Sequence, residues 1–267
     1  MPLGLLNTPP QHIALETWLV PTLVGDPSGG FSGGHSLVIR GEEPMIVDTS
    51  VSLLRASWLD KVFSIVEPTD VRWVFVSHDD HDHVGNLEAV LDLCPNATVV
   101  ASHSITTRLA GDLPLPPART RWLDVGESIN VGSHVLTAVR PPLFDSPATR
   151  GLYDATTQLL WAVDSFMALV PDEIYDRADV PDNLYEESFA IHNSWNTPWL
   201  QWVDRRRFER HLATTATLEL DLVASAHGPL LWGPEIARAY EGIRSLVGAR
   251  PAPPPTQPRH EDKATPL

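Results

Sequence analysis

Apolar residues along this chain fall mostly into short runs separated by turn residues. Residues 13–24 and 35–48 read as strands with Gly and Pro punctuation between them. Met45-Ile46-Val47 is a short apolar strand that ends in Asp48-Thr49. Over residues 52–66, Leu53, Leu54, Trp58, Val62 and Ile65 recur near helical spacing and predict a helix. The run Val71-Arg72-Trp73-Val74-Phe75-Val76 predicts a buried strand, and a helix is expected over 84–93. Thr98-Val99-Val100-Ala101 is a further strand, and Ser104 is a candidate cap for a short helix after it. From about residue 120 the pattern changes. Runs at 120–124, 128–131, 134–140, 151–155 and 158–163 alternate with turn residues and predict a set of antiparallel strands. Residues 183–215 read as helical, and strand 221–225 and helix 234–247 close the fold.

Both halves alternate strands with helices, which fits an α+β fold of two packed sheets with helices outside. The length of 267 residues and a hydrophobic content of 43% suit one large domain, expected over 1–248. The remainder, 249–267, holds six prolines in 19 residues with no core pattern and is expected to be disordered. The formal net charge of -15 argues against a nucleic-acid backbone as partner. Met1 to Leu6 lacks a basic region and a long apolar run, so no signal peptide or membrane span is expected, and a cytoplasmic location follows. A single cysteine, Cys94, excludes an intramolecular disulfide and a thiolate zinc cluster. It precedes Pro95 and reads as a buried structural thiol.

The densest chemistry follows the strand at 71–76. Residues His78-Asp79-Asp80-His81-Asp82-His83 are all His or Asp, in a loop after a strand, where α/β proteins place function. Imidazole and carboxylate together suit zinc, iron or manganese. In an extended loop alternate residues point the same way, which would put His78, Asp80 and Asp82 on one face with His83 adjacent. Four ligands in this run exceed what one tetrahedral ion with an open position needs. Two ions about 3.5–4 Å apart would use them better, with further ligands from later strand ends.

The run resembles the signature of the metallo-β-lactamase superfamily, His-x-His-x-Asp-His, with Asp80 at the second histidine. A carboxylate there is similar to the flavodiiron and oxygen-binding diiron branch, which has His-x-Glu-x-Asp-His. Asp48-Thr49 matches that family's strand end before the first helix. Leu160 to Phe166 resembles the strand carrying its bridging aspartate, and Ala226-His227-Gly228-Pro229 the late strand end carrying its last histidine. The resemblance runs over roughly residues 13–240. It implies a four-layer αββα sandwich and a dinuclear site: His78 and Asp80 on one metal, Asp82, His83 and His227 on the other, and Asp164 bridging. If the site is hydrolytic, Asp82 would also help orient the metal-bound hydroxide. One departure stands out. In Arg140-Pro141-Pro142-Leu143-Phe144-Asp145-Ser146-Pro147, Pro142 occupies the place where the family has another histidine. His134 lies at the wrong end of the preceding strand to replace it. Water, His81 or Asp145 are the candidates, and Arg140 nearby disfavours a cation.

Other residues have plainer readings. His81 is an exposed spacer, and His35 and His103 are structural. Gly29 to Gly34 forms a rim hairpin, since no Lys-Ser/Thr or helix follows it as in a phosphate loop. Trp195, Trp199 and Trp202, with His192, serve packing or an aromatic wall over the site. Arg205-Arg206-Arg207 is a solvated helix face.

Three functions follow. The resemblance favours a non-haem diiron protein that binds or reduces dioxygen or nitric oxide, with two iron ions (zinc or manganese as alternatives). No flavin domain is expected in this chain, so reduction calls for an external electron donor. The second is a hydrolase of an ester, lactone, thioester or amide that uses a metal-activated water. The third is a binding protein with a degenerate site, for which Pro142 is the support. A homodimer is compatible with each.

Overall fold

Two sheets carry the fold. A computed structural model describes residues 4–249, so the tail expected to be disordered lies outside the described residues except for Ala249. The first sheet has seven strands in the order β10 (Thr120–Trp122), β9 (Thr98–Ala101), β8 (Trp73–Phe75), β7 (Met45–Val47), β6 (Ser36–Ile39), β3 (Thr17–Val20), β2 (Gln11–Ala14). The second has six: β11 (Ser128–Asn130), β12 (Val135–Val139), β13 (Gly151–Asp154), β14 (Leu159–Trp161), β15 (Leu222–Ala224), β16 (Leu231–Trp232). A small third sheet joins β1 (Leu5–Leu6), β4 (Leu23–Gly25) and β5 (Phe31–Gly33).

The central strands of the first sheet, β6 to β9, are buried on both faces, which is why they read as nearly continuous apolar runs, while the edge strands β10 and β2 are partly exposed. Alternation is still visible in where each side chain goes. Ile46, Val74 and Val99 point outward and pack with Trp58 and Val62 of helix α1 (Arg55–Phe63). Helices α3 (Leu87–Leu93) and α4 (His103–Leu109) complete this layer through Leu87, Val90, Ile105 and Leu109. Their neighbours Met45, Val47, Phe75 and Val100 point inward and meet Ile129, Leu136, Ala138 and Leu152 of the second sheet. The second sheet's other face is covered by helices α5 (Asp182–Asn196), α6 (Arg205–Ala216) and α7 (Pro234–Leu246), through Phe189, Leu212, Tyr240 and Ile243. The result is the expected αββα order of layers. Among the described residues no helix is long and apolar enough to cross a membrane.

Two local expectations need correction. Strand β10 does not join the antiparallel set; it pairs parallel with β9. The connection between them contains α4, a crossover that returns the chain in the same direction. The cap of α4 is Ser102, not Ser104: its hydroxyl accepts from the Ile105 backbone N–H at 3.3 Å.

The topology has one consequence for chemistry. β7 and β8 run parallel in one sheet, and β14 and β15 run parallel in the other. The chain leaves all four at the same end of the sandwich. Asp48, His78, Asp164 and His227 follow these four strands, so two strand ends from each sheet present ligand-type side chains to one cleft.

Candidate metal centre

Backbone geometry at the cleft is unusual. Asp48 (φ 58°), Ser50 (φ 54°), Val163 (φ 55°) and Phe166 (φ 64°) all adopt left-handed conformations without being glycine. For β-branched Val163 this is a strained arrangement, and such strain concentrates at functional sites. The sharp turn places Asp164 immediately beyond the strand.

The His/Asp run is not extended throughout, as the alternation argument assumed. Asp80 is extended (ψ 146°) and begins a helical turn, α2 (His81–Val84). His83 N and Val84 N donate to the Asp80 carbonyl at 2.9 and 3.1 Å. This turn sends His81 away: its Nε2 lies 2.8 Å from Ser52 Oγ. His83 is folded inward and is 1% exposed.

Three imidazoles converge on Asp164. His78 Nε2 is 3.3 Å from Asp164 Oδ2, and His83 Nε2 and His227 Nε2 are 3.1 and 3.3 Å from Oδ1. Asp82 Oδ2 lies 3.3 Å from His227 Nε2 and 3.8 Å from His83 Nε2. Asp80 Oδ2 lies 3.9 Å from His78 Nε2. All six expected residues therefore meet, with Asp164 between a His78/Asp80 side and an Asp82/His83/His227 side.

The outer nitrogen of each ring is held. His83 Nδ1 is 3.1 Å from Asp48 Oδ2, His227 Nδ1 donates to the Gly33 carbonyl at 2.7 Å, and His78 Nδ1 is 3.0 Å from Ser77 Oγ. Asp48, fully buried, also accepts from Ser77 N, Ser77 Oγ and Trp161 Nε1 at 2.8, 2.8 and 3.1 Å. Such partners fix the tautomer so that each ring, when neutral, presents its Nε2 lone pair inward. Two atoms at the centre, His78 Nε2 and Asp164 Oδ1, are buried and lack a hydrogen bond of proper geometry. Buried polar atoms are almost always satisfied, and a cation between the rings and the carboxylate would satisfy both. The donor set fits a transition-metal pair.

Electrostatics agree with that fit. Burial opposes charge on Asp164, but His78 and His83 overcome it and hold the carboxyl well below the usual range. Burial also opposes charge on His83, yet Asp164 and Asp48 raise its pKa well above 6.5. His78 and His227 are raised against burial too, chiefly by Asp164. Asp82 is lowered by His83 and His227 despite burial. Asp80 moves the other way, raised by burial and by Asp145, Asp164 and Asp82, with only His78 opposing. Without metal, the carboxylates thus bias the three imidazoles toward their protonated forms, at the place cations would take.

Sequence reasoning noted Asp48, but not its part in orienting His83, and missed Ser77, Trp161 and the Gly33 carbonyl. A lone sequence marks none of these as special, since each acts through a contact made only on folding. The other candidates lie elsewhere. His134 pairs with Asp154 at 2.7 Å, remote from the cluster. The Arg140 guanidinium sits 5.2 Å over Phe144, and the Pro142 carbonyl lies 3.0 Å from His211 Nε2. Burial, then His227 and Lys61, push His35 down to about 3; its neutral Nδ1 accepts from Thr22 N at 3.2 Å. His103 packs edge-on against Trp122.

Above Asp80, Asp82, Asp164 and His227 opens a pocket of about 820 Å³. Its walls are the β4–β5 hairpin, Met167 and Leu169, and the Leu184, Ile191, His192 and Trp195 face of α5. Of the three tryptophans, only Trp195 lines it. Trp199 donates to the Phe144 carbonyl at 2.8 Å, and Trp202 is 76% exposed.

Comparison with known proteins places this geometry in a family. The model of the ODP family beta lactamase matches residues 32–228. Diflavin flavoprotein A 1 of Synechocystis sp. (strain ATCC 27184 / PCC 6803 / Kazusa) is 28% identical over 203 residues, covering 74% of this chain and 34% of that protein. The chain thus spans about a third of the length of the curated relatives it matches. Among solved structures, the flavodiiron protein from Giardia intestinalis superposes with a TM-score of 0.79 at 18% identity, over 90% of this chain and 59% of that one. The rubredoxin oxygen:oxidoreductase from Desulfovibrio gigas gives 0.78 at 15% identity, over 88% and 61%. At these identities the structures speak for the fold, while the family match spans most of the chain and both sides of the His/Asp cluster. This chain belongs to the ODP family of beta-lactamase-fold domains, the fold of flavodiiron cores.

Proposed function

We propose that the cleft holds two iron ions and that the domain binds and reduces a small oxidant, dioxygen or nitric oxide, with electrons from an external donor. The observation that carries this reading is Asp80. A carboxylate in place of the hydrolases' second histidine adds negative charge and a hard oxygen donor beside His78, which favours iron and its ferric state. Bound iron would supply the one-electron chemistry. The chain's own residues do the rest. His78, Asp80 and Asp164 would hold one ion; Asp82, His83, His227 and Asp164 the other. Ser77, Asp48 and the Gly33 carbonyl keep the three rings oriented. Met167, Leu169, Leu184 and Ile191 give the approach an apolar wall, which suits a small neutral gas. Asp80 and Asp82, with side chains 52% and 44% exposed, face solvent and can pass protons inward.

One observation favours a second reading. A pocket of about 820 Å³ is far larger than a diatomic gas requires. It would accommodate a carbonyl substrate for metal-dependent hydrolysis. Anaerobic purification followed by elemental analysis and exposure to oxygen separates the two. The expected result is about two iron per chain, an absorption change on adding oxygen, and oxygen consumption with a chemical reductant. Colourless, zinc-loaded protein that opens a lactone or thioester would overturn the proposal in favour of hydrolysis.

A further inference from the structure

We infer that Asp145 completes the first metal position of this chain, in the place where Pro142 replaces an imidazole. The two positions then differ in kind. The first would have one imidazole and three carboxylates (His78, Asp80, Asp145, Asp164). The second would have two imidazoles and two carboxylates (His83, His227, Asp82, Asp164). This inference rests on the dinuclear reading above.

The geometry is specific. Ligand atoms of His78, Asp80 and Asp145 all lie within 4.8 Å of one another. His78 Nε2, on a side chain 1% exposed, has no hydrogen-bond partner and faces this group. Thr149 Oγ1 donates to Asp145 Oδ1 at 3.2 Å, which fixes the carboxylate and leaves Oδ2 free.

The loop around Asp145 is tied down on every side. Leu143 N donates to Ser165 Oγ at 3.0 Å, next to Asp164. Trp199 Nε1 holds the Phe144 carbonyl, and Arg108 Nη1 holds Ser146 Oγ at 2.9 Å. Arg150 Nη1 donates to the carbonyls of Pro147, Ala148 and Thr149, each at 2.9 Å. Arg150 N donates to the Ser77 carbonyl at 2.8 Å, which joins this loop directly to the one that carries His78. So extensive a frame around an exposed aspartate is what precise placement of a ligand requires.

Among the described residues only His78 offers the pair a positive charge, 3.9 Å from Asp80. Arg140 lies over Phe144 and donates to the Pro147 carbonyl, and Arg108 pairs with Asp79 at 2.8 Å. Among the described residues neither Asp80 nor Asp145 pairs with an arginine or lysine. A divalent cation is the partner that fits. With three carboxylates for one imidazole, the first position would accept harder ions such as Mn(II) or Fe(II) readily, and would hold zinc less selectively than the second.

The test is anaerobic titration of the metal-free protein with Fe(II), Mn(II) and Zn(II), read by bound-metal stoichiometry and, for manganese, by electron paramagnetic resonance. Wild type should bind two ions. Asp145→Asn should keep one site unchanged, which reports that the variant is folded, and weaken the other by at least about tenfold, the low end of what loss of a mere supporting partner costs. Asp145→His should retain two ions but move the preference of the first site from manganese toward zinc. Two sites of wild-type affinity in Asp145→Asn, with an unaltered preference in Asp145→His, would overturn the inference while leaving the dinuclear reading intact. Wild type that binds fewer than two ions would overturn the dinuclear reading itself.

Discussion

The Asp82/His83/His227 side of the cleft and the His78/Asp80/Asp145 side are made differently. On the first, His83 is fully buried and backed by Asp48, and His227 is fixed by a backbone carbonyl. On the second, two of the three side chains are exposed and like-charged. The first side is preorganised by second-layer contacts before any ion arrives. The second sets two carboxylates beside one imidazole, and a cation would relieve the repulsion that His78 alone offsets. One cleft thus combines a rigid position with an adaptable one, and Asp164 is common to both.

The largest expected effect is therefore at Asp164. Asp164→Asn removes the charge on which all three rings converge, so both positions should empty, seen as loss of most bound metal by elemental analysis. Metal content equal to wild type would sink the assignment of Asp164 as the shared ligand. Asp48→Asn should weaken the sides unequally, because Asp48 meets His83 directly and His78 only through Ser77 Oγ. Asparagine tolerates the left-handed backbone at this position, so the change tests the carboxylate itself. It loses charge-assisted acceptance from His83, Ser77 and Trp161, at a cost of about 1–3 kcal/mol to stability. Affinity at the second position should fall about 10–100-fold. Equal loss at both positions would mean that Asp48 supports the whole cleft and not one side.

How far this division was legible beforehand depends on where each residue's reason lies. The strands at 45–47, 73–75 and 98–101 were readable because both their faces are buried, which leaves unbroken apolar runs. The six ligand-type residues were readable from the His/Asp run and from the order of Asp164 and His227 behind it. The helical turn at 81–84 was not, because His81-Asp82-His83-Val84 is too short to carry a periodicity signal; the turn follows from the two N–H groups that donate to the Asp80 carbonyl. The parallel pairing of β10 was also hidden, since a three-residue strand does not state its partner. Asp48 illustrates the limit best. Its sequence neighbourhood marks a strand end, but its work is done by contacts with Ser77, His83 and Trp161, which are 29, 35 and 113 residues away.

Titration offers a smaller but independent measure of the same contrast. In the metal-free protein His83, His78 and His227 have raised pKa values. Each adds stability that is complete below its unfolded value of about 6.5 and is lost as pH rises through its folded value. Asp164 is depressed; its contribution is present above about 3.9 and is lost as pH falls through its folded value. Asp80, being raised, subtracts stability as pH climbs past its unfolded value. Metal-free protein should therefore lose stability from neutral pH upward, with the midpoint of thermal unfolding as the readout. Metal binding needs neutral rings, so it should release protons at neutral pH and flatten this dependence. Calorimetry in buffers of different ionisation enthalpy would count those protons. No proton release would mean that the rings are already neutral, and that the field of Asp164 and Asp48 is weaker than the contacts imply.

The smallest effect is expected at Arg108, which touches only the adaptable side. Its Nε pairs with Asp79 at 2.8 Å and its Nη1 donates to Ser146 Oγ at 2.9 Å, so it ties the loop of Asp80 to the loop of Asp145. The side chain is 51% exposed, and an ion pair so placed contributes at most about 1 kcal/mol. Arg108→Met keeps the aliphatic stem and removes both ties. Global stability should change by less than about 1 kcal/mol, while affinity at the first position falls a few-fold and the second stays unchanged, since no contact of Arg108 reaches His83 or His227. A few-fold change at one position, measured beside an unchanged neighbour in the same titration, would separate positioning of Asp80 and Asp145 from general loosening of the fold. An equal change at both positions would erase the distinction between a preorganised side and an adaptable one, because it would mean the two loops move as a single body with the rest of the cleft.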